Sequence, residues 1–124
     1  MTSALSDIGQ IAVVVSDVSK VLPFYRDVLG LRFLFSAGPN LAFLQAGSVR
    51  IMLTPPEGAG QVGANSILFF RVDDVEATYK TLVSRGATGI IAPRLIATMP
   101  DHELWIGDIR DPDGNPIGLM EEKR

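Results

Sequence analysis

The sequence repeats one short pattern at two places. A strand-length apolar run ends at residues 15–18 (VSDV) and leads into a helical pattern that closes at Gly30, and residues 72–75 (VDDV) lead into a second one that closes at Gly86. In each copy an aspartate stands where a helix N-cap is expected, and a glycine stands where the chain leaves the helix. A chain that contains one small unit twice is expected to fold as two similar halves.

The first copy predicts a strand, a helix and three further strands. These elements are expected at residues 10–16, 18–29, 31–35, 41–45 and 49–53, in that order. Pro23 removes a backbone donor inside the helical pattern, so we expect a loose or 3₁₀ first turn, with the regular helix starting near Phe24. Residues 7–54 therefore form a predicted βαβββ unit.

The second copy follows residues 55–64, which are rich in proline and glycine and are interpreted as a linker. Its helix is expected at residues 75–83 and its strands at 67–72, 90–91, 94–98, 103–110 and 117–120, with turns at Pro93, at 99–101 and at 111–116. The acidic residues of the last turn (DPDGNP) look like a metal loop, but their spacing with proline and glycine favours turn chemistry. Residues 65–121 are thus a second βαβββ unit with one irregular strand, inside a single domain of 124 residues.

Composition excludes several kinds of site and partner. A chain of 124 residues with 47% hydrophobic and 20% charged residues predicts one globular domain, and no apolar stretch approaches the roughly 18 residues of a membrane span. Without cysteine, the chain has no disulfides, no thiolate catalysis and no sulfur-based zinc site. A net charge of −3 without a basic cluster argues against nucleic acid. No signal-peptide pattern is present at the start, so the cytoplasm is the expected compartment.

Two motifs, residues 24–30 (FYRDVLG) at a helix end and residues 111–115 (DPDGN) between apolar runs, carry a family resemblance. With the repeated βαβββ order they resemble the vicinal oxygen chelate superfamily, which includes glyoxalases, bleomycin resistance proteins and extradiol dioxygenases. The resemblance covers essentially the whole chain. It implies an α+β fold in which two units form a cupped mixed sheet, with the helices on its outer face and the ligand in the cup. It also implies a homodimer, as in many members.

Metal-dependent members of the superfamily hold one divalent ion with four side chains on the concave face, usually His, Gln or Glu. The resemblance places these four positions at Gln10, Met52, Ile67 and Gly118. Gln10 can offer a carbonyl oxygen to a hard cation, whereas the other three residues are not among the usual ligands. One neutral oxygen does not outweigh the dehydration of a divalent ion, so no metal and no other cofactor is predicted.

The concave face is predicted to be an apolar cup with two polar features, Gln10 and Arg71. The candidate ligand-binding residues are Gln10, Met52, Ile67, Phe69, Arg71, Trp105 and Gly118. Arg71 either grips a carboxylate or lies at a strand end in water. Gln10 either orients the ligand or bonds backbone and solvent as a strand-end amide. Trp105 either walls the pocket or packs in the core or at a dimer interface.

His102 is the only histidine and the only conventional general base, so it is the candidate catalytic residue; stabilising a loop or contacting a ligand or subunit are the alternatives. The leading hypothesis is a protein that binds a small apolar or anionic molecule, similar to the antibiotic-sequestering members of the superfamily. The alternative is a lyase, isomerase or dioxygenase with an altered metal site, for which Glu57 is the one linker carboxylate that could fold back. A structural or regulatory dimer without a small ligand is the third possibility.

Overall fold

The computed structural model describes residues 4–5, 7–56 and 60–124, so Glu57 and part of the predicted linker lie outside the described residues. The strands are β1 (Gln10–Val14), β2 (Arg32–Ser36), β3 (Ala42–Ala46), β4 (Val49–Thr54), β5 (Leu68–Arg71), β6 (Thr88–Thr98), β7 (Glu103–Arg110) and β8 (Pro116–Lys123). The helices are α1 (Val18–Pro23), which continues into a π-helical turn (Phe24–Val28), and α2 (Val75–Ser84). The predicted α+β class and the two βαβββ units are confirmed.

Both units form a four-stranded mixed sheet of the same topology. The strand order is β1-β4-β3-β2 in the first sheet and β5-β8-β7-β6 in the second. In each sheet the first strand of the unit runs parallel to the last, and the other neighbours are antiparallel. The repeat in the sequence is therefore a repeat in topology.

Each sheet turns one face toward the helices, and these two core faces share a single hydrophobic core. Its strand residues include Val13, Leu44, Ile51, Leu53, Ile109, Ile117 and Leu119, and its helix residues include Val18, Val21, Val75 and Leu82. Val15, directly after β1, also belongs to this core. Because successive residues of a strand point to opposite faces, the intervening residues lie on what we call the open face of each sheet. The open face carries Gln10, Ala12 and Met52 in the first sheet and Phe69, Arg71 and Gly118 in the second.

The first helix departs from the expectation at Pro23. The regular helix α1 comes first and ends at Pro23, and the π-helical turn follows, with the Leu29 amide donating to the Phe24 carbonyl over 2.9 Å. The prediction of an irregular first turn followed by a regular helix was therefore wrong. Proline lacks the N–H that would continue the α-helical ladder, so the chain goes on in a wider turn.

Strand β6 passes through Pro93 without a turn, so the predicted break there was also wrong. The strand runs over Thr88–Thr98, and its pairing with β7 shifts register between Ile91 and Arg94. β6 is the edge strand of its sheet and has a neighbouring strand on one side only. Pro93, which has no N–H, can therefore lie at this irregularity without breaking hydrogen bonds to two neighbouring strands.

The turn at residues 111–115 joins the two units, and its predicted turn chemistry is confirmed. Asp111 Oδ1 accepts hydrogen bonds from the amides of Asp113 (2.9 Å) and Asn115 (2.8 Å). Asp111 Oδ2 accepts one from the Tyr25 hydroxyl (2.7 Å), and the Asn115 side-chain amide donates to the Val14 carbonyl (3.1 Å). These bonds fix the first helix and first strand against the last turn of the second unit.

Neither helix within the described part of the chain is long and apolar enough to cross a membrane.

Candidate functional site

A row of four polar side chains crosses the open face of the first sheet. The strand register pairs Gln10 with Arg50, Arg50 with Gln45, and Gln45 with Arg32. Residues paired directly across neighbouring strands lie on the same face. The row therefore spans all four strands and brings two guanidinium groups to the open face.

Arg50 is held in place within this polar row. Its Nε donates to Gln10 Oε1 over 2.8 Å, and its guanidinium carbon lies 5.3 Å from the centroid of the Phe43 ring. The Gln10 amide nitrogen in turn contacts Met52 Sδ at 3.6 Å. Among the described residues, no carboxylate pairs with Arg50, so its charge has no counter-ion there.

The next row along the open face is apolar. Ala12 pairs with Met52, Met52 with Phe43, and Phe43 with Phe35. The Phe35 and Phe43 rings are stacked, with their centroids 4.6 Å apart and their planes inclined by 24°. Phe35 is 47% exposed, so one ring of the stack faces solvent. The half-exposed Phe35 ring and the buried Phe43 ring thus border the polar row.

The four positions of the family metal site do not fit a divalent ion. Gln10 already uses its side-chain oxygen for a hydrogen bond, Met52 offers a soft thioether, and Ile67 has no donor atom. At Gly118 the Phe69 ring covers the backbone so closely that an added Cβ would collide with it. Three of the positions offer no hard oxygen or imidazole nitrogen, and the space at the fourth strand is filled by an aromatic ring.

A cavity of about 570 Å³, which we call the seam cavity, lies between the first sheet and β5. Three of the candidate ligand-binding residues, Ile67, Phe69 and Arg71, line it together with Arg32 and Gln45. Its apolar walls are completed by Ile11, Leu31, Val49, Ile51, Leu68 and Phe70. Arg32 and Gln45 were not predicted from the sequence, because their place beside β5 depends on how the two units pack.

Trp105 lies on the core face of the second sheet. It packs against the shared core, its indole N–H donates to Glu103 Oε1 over 3.1 Å, and Lys123 Nζ lies 4.3 Å from its ring centroid. Arg71 and Phe69 lie on the opposite face of the same sheet. The structure does not bring Trp105 together with the other candidate residues, and its ring is partly buried at the margin of the core.

His102 lies in the turn between β6 and β7, in a cluster of charged side chains. Its Nδ1 is 2.8 Å from Asp101 Oδ1, and its Nε2 is 3.7 Å from Glu122 Oε2. Arg124 and, to a smaller extent, His102 lower the pKa of the Asp101 carboxyl by hydrogen bonding to it. Both ring nitrogens therefore face carboxylates of the chain, and a general-base role for His102 stays a prediction.

Three carboxylates that converge elsewhere, Asp74, Glu76 and Glu121, serve the start of α2. Asp74 and Glu121 each accept a hydrogen bond of 3.0 Å from a backbone amide of its first turn, and Glu76 pairs with Lys123 at 2.6 Å. This pattern is typical of helix capping.

Comparisons with known proteins extend the likeness from the fold to the sequence. A protein of the Glyoxalase/bleomycin resistance protein/dioxygenase superfamily from Sphaerobacter thermophilus DSM 20745 is 26% identical, with 95% of this chain and 98% of that chain covered and a TM-score of 0.77. TnmS3, an antibiotic binding protein from Streptomyces sp. CB03234, is 25% identical, with 98% and 100% covered and a TM-score of 0.72.

The uncharacterized protein YraH of Bacillus subtilis (strain 168) is 27% identical in an alignment 128 residues long that spans 90% of this chain and 95% of YraH. The family model described as Glyoxalase/Bleomycin resistance protein/Dioxygenase superfamily matches residues 7–119. The chain belongs to this superfamily.

Proposed function

We propose that this protein binds a small apolar or anionic molecule in the seam cavity. The cavity volume of about 570 Å³ carries the proposal, because it lies in the range of small-molecule pockets and its walls are mostly apolar. Burial of a ligand against such walls contributes about 25 cal/mol per Å² of apolar surface. Arg32 and Arg71 line the same cavity and can donate charge-assisted hydrogen bonds to an anionic group.

The proposed binding does not use a divalent metal at the family position. Support comes from the side chains there: the Gln10 oxygen is engaged, and Phe69 covers Gly118. A structural relative, TnmS3, is an antibiotic binding protein, which supports binding as an activity of this fold. The chemical identity of the ligand does not follow from that likeness.

We also propose that the protein is a homodimer. Four large apolar residues on β6, the edge strand of the second sheet, are 45–46% exposed: Ile90, Ile91, Leu95 and Ile96. Large apolar patches on a soluble protein mark surfaces that another molecule covers. Light scattering coupled to size exclusion is expected to give twice the mass of 13.4 kDa, and a monomer at all concentrations would contradict this part of the proposal.

Fluorescence titration with 8-anilinonaphthalene-1-sulfonate, an apolar anion, tests binding in the seam cavity. Wild type is expected to bind it saturably, and Ile67→Glu is expected to weaken binding roughly 10-fold, because a carboxylate then faces the probe in an apolar site. Arg71→Gln should weaken it roughly 5-fold. The control is Arg26→Gln, which removes the same charge from an exposed helix position paired with Asp27.

Equal affinity in all four proteins, or no saturable binding, would overturn the cavity as the binding site. Thermal melting of each variant shows whether a change in fluorescence reflects binding or unfolding.

Inductively coupled plasma mass spectrometry tests the metal. We expect no stoichiometric Zn, Ni, Mn or Fe after each is added to the purified protein and dialysed away. Stoichiometric metal that Gln10→Ala or His102→Ala removes would instead favour a metal-dependent lyase, isomerase or dioxygenase.

A further inference from the structure

We infer that Arg50 forms a carboxylate-binding site on the open face of the first sheet, where Gln10 positions its guanidinium and the half-exposed Phe35 ring, stacked on Phe43, offers apolar surface to the body of the ligand. This inference goes beyond the proposed function, because Arg50, Gln10 and the phenylalanine stack do not line the seam cavity. The ligand class is an aromatic carboxylate of one or two rings.

The Arg50 side chain is ordered before any ligand arrives. Its Nε is bonded to Gln10 Oε1, and its planar group lies over Phe43 at cation–π distance. Both terminal nitrogens form no hydrogen bond within the described residues. A guanidinium whose Nε is fixed and whose terminal N–H groups are free can donate two parallel hydrogen bonds to a carboxylate. Little side-chain entropy is lost on binding, since the arginine is already held.

Among the described residues three arginines form ion pairs, and of the arginines without one only Arg50 has its guanidinium held both by a side-chain hydrogen bond and over an aromatic ring. Arg94 lies 3.1 Å from Asp108, Arg26 lies 2.9 Å from Asp27, and Arg124 lies 2.7 Å from Asp101. Arg50 has no such partner among the described residues. A ligand carboxylate would supply the counter-charge that these other arginines receive from the chain.

The position of Arg50 relates this site to the metal-dependent members of the superfamily. Gln10 stands at a metal-ligand position, and here its oxygen contacts a guanidinium instead. In those members a metal ion provides the positive charge at this place, and in this chain the Arg50 guanidinium provides it. A guanidinium favours a planar carboxylate, whereas a divalent ion accepts many oxygen geometries.

The short distance between the guanidinium and the phenylalanine stack limits the length of the ligand. The guanidinium carbon of Arg50 lies 5.3 Å from the centroid of the Phe43 ring, which stacks on the half-exposed Phe35 ring. A carboxylate attached directly to an aromatic ring suits this distance: the carboxylate meets Arg50, and the ring packs against the exposed Phe35 ring. A long linker between the two groups would carry the ring beyond the stack.

Isothermal titration calorimetry with matched probes tests this site. The probes are 2-naphthoate with 2-naphthalenemethanol, and biphenyl-4-carboxylate with biphenyl-4-methanol, so that each pair differs in the carboxylate alone. Wild type is expected to prefer each carboxylate roughly 10-fold or more. Arg50→Gln should reduce this ratio to about 1 while the alcohol affinity stays within roughly 2-fold, and Arg50→Lys should keep part of the ratio.

Two controls separate this site from the seam cavity. Ile67→Glu, in the cavity, and Arg26→Gln, on the first helix, are expected to leave the carboxylate ratio unchanged. The ¹⁵N-edited NMR signal of the Arg50 Nε–H, assigned by its loss in Arg50→Gln, should shift with the carboxylates and not with the alcohols. A merely structural Arg50 would not produce these differences.

The outcomes distinguish the two sites. If the ratio survives Arg50→Gln and falls in Ile67→Glu, the carboxylate binds in the cavity, so the inference is wrong and the proposed function stands. If wild type binds carboxylate and alcohol equally, or binds neither, the inference is also wrong, and the anilinonaphthalene titration decides the proposed function independently.

Discussion

Two groups of polar side chains in this molecule have opposite surroundings. Asp111 and Asn115 are 3% and 2% exposed, and their polar atoms are hydrogen-bonded within the chain. Gln10 and Arg50 are exposed, and the guanidinium keeps free donors on a face that carries apolar side chains. A buried polar group needs hydrogen-bond partners within the protein, whereas an exposed one can bond to water until a ligand binds. The first group therefore joins the two units, and the second is available for recognition.

The comparison predicts that the largest effect on stability comes from Asp111. Asp111→Ala leaves the Tyr25 hydroxyl, the Asn115 amide and two backbone amides without their acceptor, so the free energy of unfolding should fall by about 3 kcal/mol or more. Urea denaturation measures the loss. The control is Asp113→Ala, which removes the exposed hydrogen bonds to Ser16 and should cost about 1 kcal/mol. Equal losses in the two variants would show that the buried group does not stabilise the fold in this way.

Removal of one bond from the same group should have a smaller effect. Tyr25→Phe deletes the hydroxyl that donates to Asp111 over 2.7 Å, and we expect a loss of about 1–3 kcal/mol with carboxylate and anilinonaphthalene binding unchanged. Tyr79→Phe is the matched control, because no hydrogen bond is formed by the Tyr79 hydroxyl within the described residues. A change in ligand affinity in Tyr25→Phe would contradict the separation of the two groups.

The same tyrosine predicts a pH dependence. Burial, and next the charge of Asp111, raise the pKa of Tyr25 well above its ordinary value of 10.0. Above pH 10.0 the phenol of Tyr25 loses its proton in the unfolded chain but keeps it in the folded chain. The stability that Tyr25 contributes is therefore complete below pH 10.0 and declines as the pH rises further. Denaturation between about pH 8 and 11 should show the wild type losing its advantage over Tyr25→Phe at the alkaline end. A constant difference would show that the pKa is not raised.

On the open face, Gln10 should affect selectivity rather than stability. Gln10→Leu frees the Arg50 side chain, so the carboxylate preference should fall roughly 3-fold while the free energy of unfolding changes by less than about 1 kcal/mol. Gln10→Glu should abolish the preference, because its carboxylate would pair with Arg50 in place of the ligand. The probe pairs measure the carboxylate preference of both variants. An unchanged preference in Gln10→Glu would show that the ligand does not use Arg50.

The fold could be predicted because it depends on signals within each segment. The caps, the closing glycines and the turn at residues 111–115 act locally, so the repeated unit was visible in the sequence. The predictions at Pro23 and Pro93 were wrong because the backbone conformation around a proline depends on the elements beside it. Pro23 could open or close the helix, and Pro93 is compatible with a strand only because β6 is an edge.

The candidate site was less predictable, because it depends on contacts between strands that are far apart in sequence. Alternation along β4 could have placed Arg50 on the same face as Met52, but its bond to Gln10 requires the parallel register of β1 and β4. The sequence did not decide which face of its strand Trp105 occupies. β7 carries apolar residues on both faces, so alternation alone does not say which face meets the core.

The smallest effect is expected from His102. Its ring contacts the exposed Asp101 and, at longer distance, Glu122, so His102→Gln should change the free energy of unfolding by less than about 1 kcal/mol and carboxylate binding by less than roughly 2-fold. Such a result would place His102 with the polar side chains that stabilise the chain locally. A larger loss of binding in His102→Gln would instead show that the binding site extends to the β6–β7 turn, and would return His102 to the site as a candidate general base.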